Sequence, residues 1–104
     1  MKIVQVTYTT TLAYAEQNKA NIQAVMQHLQ EMNSTGIHYN CCLQADGKTF
    51  IHTAFYETEE DQKILTELPS FKHFQQQLKA SMPEAAPQQQ LLTLVGASTS
   101  IFNN

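Results

Sequence analysis

The sequence predicts an α+β domain of order β-α-β-β-α-β, a four-stranded antiparallel sheet with its helices on one face. Three observations lead there. Stretches rich in Val, Ile, Thr and aromatic residues alternate with stretches whose apolar residues fall at helical spacing. Asp46-Gly47 lies between two strand-like runs, and a tight hairpin turn needs a residue such as glycine that takes positive φ. Pro69 splits the second helical region in two.

The first strand is "KIVQVTYTT" (2–10), β-branched and aromatic. A helix follows over about residues 15–33, with Ile22, Val25, Met26, Leu29 and Met32 along one stripe. Asn33-Ser34-Thr35-Gly36 stops it, with Gly36 near the expected left-handed terminal residue. "IHYNCCLQ" and "KTFIHTAFYE" are strands flanking "ADG". Thr58 is a candidate N-cap, followed by Glu59, Glu60 and Asp61, acids that suit a helix start. Ile64, Leu65 and Leu68 give that helix its apolar face. After Pro69-Ser70, the residues Phe71, Phe74, Leu78 and Met82 continue a helical stripe until Pro83. "PEAAPQQQ" reads as a polar linker, "LLTLVGASTS" (91–100) as the last strand and "IFNN" (101–104) as a tail.

The whole chain, 1–104, suits one domain, long enough for a core without disulfides. Formal charge is −3 with only six Lys and Arg, which argues against nucleic acid and against anionic membrane surfaces. No apolar run approaches membrane-spanning length and no targeting segment is visible, so a cytoplasmic location is expected. Cys41 and Cys42 are strand neighbours facing opposite ways, and are expected reduced and free of metal.

The strands carry apolar residues on both faces. Val4, Val6 and Tyr8 alternate with Ile3, Gln5 and Thr7. A sheet with helices on one side should be polar on the other. The free face is therefore expected to be covered by a second copy, giving a homodimer.

With "FYETEED" (55–61) closing the third strand and "LPSFKHF" (68–74) leading the broken helix, the chain resembles the dimeric α/β-barrel superfamily. The resemblance covers residues 2–100 and is to the ferredoxin-like domains similar to antibiotic biosynthesis monooxygenases. It implies two monomers packed sheet to sheet, and an activity that uses no metal or flavin, hence no cofactor, on an aromatic or quinol-like small molecule. The alternative it leaves is a non-catalytic dimeric domain or small-ligand binder. Ser70 stands where many members carry a histidine, the chain has no Trp, and its first strand has no Asn. The Asn/Trp/His set of haem-degrading members is thus incomplete.

The candidate site residues centre on the hairpin. A two-residue turn pairs Cys41 with His52 and puts His52 with Tyr39 and Tyr56. A three-residue turn with a bulge instead pairs Asn40 with His52, on a face shared with His38 and Cys42. His52 is the candidate base, since imidazole is readily tuned near neutral pH, with Asn40 or Tyr39 beside it according to register. Tyr8, Tyr39, His38 and Tyr56 are the candidate substrate-binding residues. No metal-ligand spacing is present, and no metal site is expected.

Overall fold

The computed structural model describes residues 1–102. Its elements are β1 (Lys2–Thr9), a short 3-10 turn at Leu12–Tyr14, α1 (Ala15–Met32), β2 (Ile37–Leu43), β3 (Thr49–Tyr56), α2 (Glu59–Glu67), α3 (Pro69–Ala80) and β4 (Ala85–Leu92). The four strands form one antiparallel sheet in the order β2-β3-β1-β4. The core lies between the sheet and the helices, with Val4, Tyr8, Phe50, Ala54 and Tyr56 meeting Ile22, Val25, Leu65, Phe74 and Leu78.

Local chemistry explains the element ends. Asn33 ends α1 in the left-handed conformation, φ 51°, a role expected of Gly36. Asparagine tolerates this region better than other side-chain-bearing residues. Gly36 is needed for another reason: a Cβ there would overlap the Asp61 carboxylate. That carboxylate is committed to the start of α2, where Thr58 and Asp61 form a reciprocal capping box. Leu68, preceding Pro69, is extended at ψ 130°, so the proline both ends α2 and opens α3.

The last strand differs from the sequence expectation. β4 is Ala85–Leu92, so "AAPQQQ" is strand rather than linker, and Leu94 and Val95 lie beyond it and are exposed. Every residue of β4 is exposed. As an edge strand it is held by backbone bonds to β1, which ask nothing of side-chain polarity. Register slips between Thr7, opposite Gln88, and Thr9, opposite Ala85, so two residues including Pro87 face Tyr8. A bulge on an edge strand is where a strand accepts proline.

The face of the sheet away from the helices carries Ile3, Ile51, Phe55 and Leu92 among polar residues. Phe102, buried, meets the His38 ring edge-on there with centroids 5.0 Å apart. The tail read over 101–104 is thus partly docked; Asn103 and Asn104 lie outside the described residues. Among the described residues no helix is long and apolar enough to cross a membrane.

Candidate functional site

The hairpin turn decides what His52 meets. Gln44 N–H donates to the Thr49 carbonyl at 2.8 Å, Gly47 N–H to the Gln44 carbonyl at 3.0 Å, and Gly47 sits at φ +76°. The Asp46 carboxylate accepts from the amides of Lys48 and Thr49. The loop is longer than two residues, yet its register is the one a two-residue turn gives: Cys41 lies opposite His52. Tyr39, Cys41, His52, Ala54 and Tyr56 therefore point toward the helices. Asn40 pairs with Thr53 and is exposed on the outer face, as is His38. The expectation of Asn40 beside His52, and of His38 in the same pocket, is corrected by this register, because a one-residue shift reverses every side chain.

His52 is 4% exposed and both its ring nitrogens are occupied. Nε2 is 2.7 Å from the Tyr8 hydroxyl and Nδ1 is 2.6 Å from the Tyr39 hydroxyl. Tyr8 Oη also accepts from Asn18 Nδ2 at 2.8 Å. The bonds thus run Asn18–Tyr8–His52–Tyr39 from α1 across three strands. Phe74 of α3 covers the imidazole, with centroids 5.4 Å apart. Register explains the assembly: Val6 lies opposite His52, and the neighbouring core-facing position on β1 is Tyr8.

The chain borders a cavity of about 170 Å³ between the sheet and α2–α3. Tyr8, Tyr39, His52 and Tyr56 form the sheet wall; Leu65, Phe71, Phe74 and Leu78 form the opposite wall. Among the described residues, no Asp, Glu, Lys or Arg lines it. An apolar cavity of about 150 Å³ is enough to admit benzene, so this one has room for a single ring.

Burial keeps the site uncharged. It lowers the His52 imidazole from its ordinary 6.5 to about 4, so the ring is neutral at neutral pH. It raises the Tyr8 and Tyr39 hydroxyls well above the usual phenol range, opposed at Tyr8 by the hydrogen bond from Asn18. Burial pushes Tyr56 up to about 12, and the Cys41 thiol likewise to about 12. Cys41 lines a separate open groove between α1 and β2, and Cys42 is exposed; both are free thiols. Among the described residues no three His, Cys, Asp or Glu side chains gather as a metal cluster would require.

Asn18 escapes the sequence reading. It is fully buried, and it lies four residues before Ile22 and seven before Val25. Extending the apolar stripe of α1 one turn toward its start lands on this asparagine, a polar residue at a core position and so a group requiring a partner.

No protein-family model matches the chain, and no curated protein sequence matches it. Solved structures do. An antibiotic biosynthesis monooxygenase superposes with TM-score 0.77 at 9% identity, covering 92% of this chain and 100% of that one. The chain has an antibiotic-biosynthesis-monooxygenase-like fold. Rv0793 from Mycobacterium tuberculosis gives 0.76 at 12% identity over 94% of this chain and 98% of its own. A protein from Bacteroides thetaiotaomicron gives 0.80 at 11% identity, covering 95% of this chain and 93% of its own. Identities this low speak to the fold, and fold alone does not fix chemistry.

Proposed function

We propose that the protein is a cofactor-independent oxygenase acting on a small, uncharged, single-ring phenol or quinol held in the sheet–helix cavity. The observation that carries this is the Tyr39–His52–Tyr8 chain at the wall of a ring-sized cavity without charged lining. The substrate hydroxyl sits against Tyr39. Its proton passes to Tyr39 Oη as the Tyr39 proton passes to His52 Nδ1, a step that requires the imidazole to carry its own proton on Nε2. Dioxygen adds to a ring carbon of the resulting anion, and the peroxide loses water. In sum two hydrogens leave the substrate, one oxygen atom enters it and the other departs as water. The substrate thus supplies all four electrons. The protein desolvates and orients the ring and holds the proton acceptor one hydroxyl away.

Oxygen uptake with single-ring quinols and phenols tests this. One dioxygen should be consumed per substrate, without the hydrogen peroxide that simple autoxidation releases. His52→Ala and Tyr39→Phe should each lower turnover by roughly 10²–10⁴-fold, the usual worth of a positioned base. Full activity in either variant, or uptake that yields only hydrogen peroxide, overturns the assignment.

A second reading has an observation of its own. Both His52 nitrogens are already engaged, and burial makes the ring a weak base. On that ground the cavity is a binding site without turnover, and a ring-sized ligand raises thermal stability while no oxygen is consumed.

We also propose that two copies pair sheet to sheet through the outer face, supported by its part-exposed apolar Ile51, Phe55 and Leu92. Light scattering at micromolar concentration should give twice the chain mass; a monomer there removes the pairing.

A further inference from the structure

The buried chain ending at Tyr39 has a direction, and the hydrogens available to it show what sets that direction. Tyr8 is 2% exposed, and its hydroxyl has two partners, Asn18 Nδ2 and His52 Nε2. Asn18 can only donate from Nδ2, so Tyr8 accepts there and its own proton must go to His52 Nε2. A neutral imidazole that accepts at Nε2 carries its proton on Nδ1. That proton donates to Tyr39 Oη at 2.6 Å. The Tyr39 proton is then the one left over, and it lies on a half-buried residue at the cavity wall.

The opposite direction is also closed in principle. If the Asn18 amide turned over, Oδ1 would accept from Tyr8, His52 would carry its proton on Nε2, and Tyr39 would donate inward. The cost falls at Asn18. As placed, Oδ1 is the one buried side-chain atom without a partner among the described residues. Turned over, Nδ2 would lose Tyr8, its one acceptor among the described residues, and orphaned donors are rarer than under-used carbonyls.

We propose that Asn18 is a positioning residue that fixes the direction of this chain, so that Tyr39 faces the cavity as a hydrogen-bond donor and selects a ligand with an acceptor oxygen, such as a carbonyl, at that point. The choice of ligand chemistry rests on the cavity being a ligand site, as proposed above; the direction of the chain does not. Proton uptake through Tyr39 requires the chain to reverse, and Oδ1 can accept from Tyr8 only once the Asn18 amide has turned over.

The experiment begins with ¹⁵N chemical shifts and two-bond couplings of His52 in the ligand-free protein. The expected form is Nδ1–H, against the preference of a free imidazole for Nε2–H; an Nε2–H tautomer overturns the proposal. Asn18→Asp introduces an acceptor that cannot donate once ionised, so the tautomer should change to Nε2–H as the buried carboxyl titrates. A folded Asn18→Asp protein that keeps Nδ1–H once the introduced carboxyl is ionised also overturns it. If that variant fails to fold, the wild-type tautomer decides alone. Binding of acetophenone is then compared with that of α-methylstyrene, its hydrocarbon counterpart. Wild type should favour the ketone by about tenfold or more, a single hydrogen bond's worth, and Tyr39→Phe should lose that preference. Equal binding refutes the selection of an acceptor oxygen. If neither compound binds, the ligand-site reading falls and the ligand part of the inference with it, while the tautomer result still judges the role of Asn18.

Discussion

Acidification should destabilise this protein through His52. The folded ring titrates at about 4 against an ordinary 6.5, because burial penalises the imidazolium. Above pH 6.5 the ring is neutral in both states and the burial of His52 costs nothing in protons. Between pH 6.5 and about 4 the unfolded chain binds a proton that the folded one refuses, and stability falls with each step down in pH. Below about 4 the folded ring protonates as well and this loss ends. The interval of about 2.5 pH units, at about 1.36 kcal/mol each, amounts to roughly 3 kcal/mol. That is a large part of the roughly 5–15 kcal/mol of a typical domain. Asp46 titrates beneath this window, since the Thr49 hydroxyl and the Lys48 and Thr49 amides hold its carboxyl below the ordinary 3.8. The assay is urea unfolding of wild type and His52→Gln from neutrality down to about pH 4. Glutamine has no proton to take up, so the wild-type curve should lose about 3 kcal/mol relative to the variant. Parallel curves would refute the argument, and with it the claim that a neutral, desolvated imidazole sits at the centre of the site.

Three further outcomes follow from the packing. Tyr8→Phe strands both Asn18 Nδ2 and His52 Nε2, which at about 1–3 kcal/mol each should cost about 2–6 kcal/mol in urea unfolding; Tyr39→Phe, at the cavity wall, should cost about 1 kcal/mol. Gly36→Ala should lose about 1–3 kcal/mol by forcing the Asp61 carboxylate aside, and much of that loss should vanish when measured in an Asp61→Ala background, where the obstacle is gone. Iodoacetamide on the native protein at mildly alkaline pH should modify the exposed Cys42 and spare Cys41, whose thiol burial holds near 12; peptide mass spectrometry showing equal labelling would contradict that placement.

Some of this molecule is written locally. The helical stripe through Ile22, Val25 and Leu29, the acids after Thr58, the break at Pro69 and the Asp46-Gly47 turn each signal their element by nearby residues alone. Local propensity and period-matched apolar patterning are short-range quantities, so the element order and the fold class could be read from them. β4 could not. "AAPQQQLL" has neither alternation nor β-branched residues, and becomes a strand because β1 offers an unpaired edge. "LLTLV" looked more strand-like, but Leu94 and Val95 lie past the end of the sheet.

The site divides in the same way. The sequence by itself determined that His52 and three tyrosines would lie on strands, with Tyr39 and Tyr56 on the face of His52 in one of two registers. Only the tertiary structure decided which, because a hairpin register depends on how the turn closes, and Asp46 closes it through three groups beyond the turn's centre. That choice placed Tyr39 against His52 and sent Asn40 and His38 to the other face. The partnership of Asn18 with Tyr8 joins α1 to β1 and exists only once the helix lies on the sheet. The cavity, too, is a property of packing: it is the volume that α2, α3 and the sheet leave unfilled between them, and no local pattern in the chain encodes an unfilled volume.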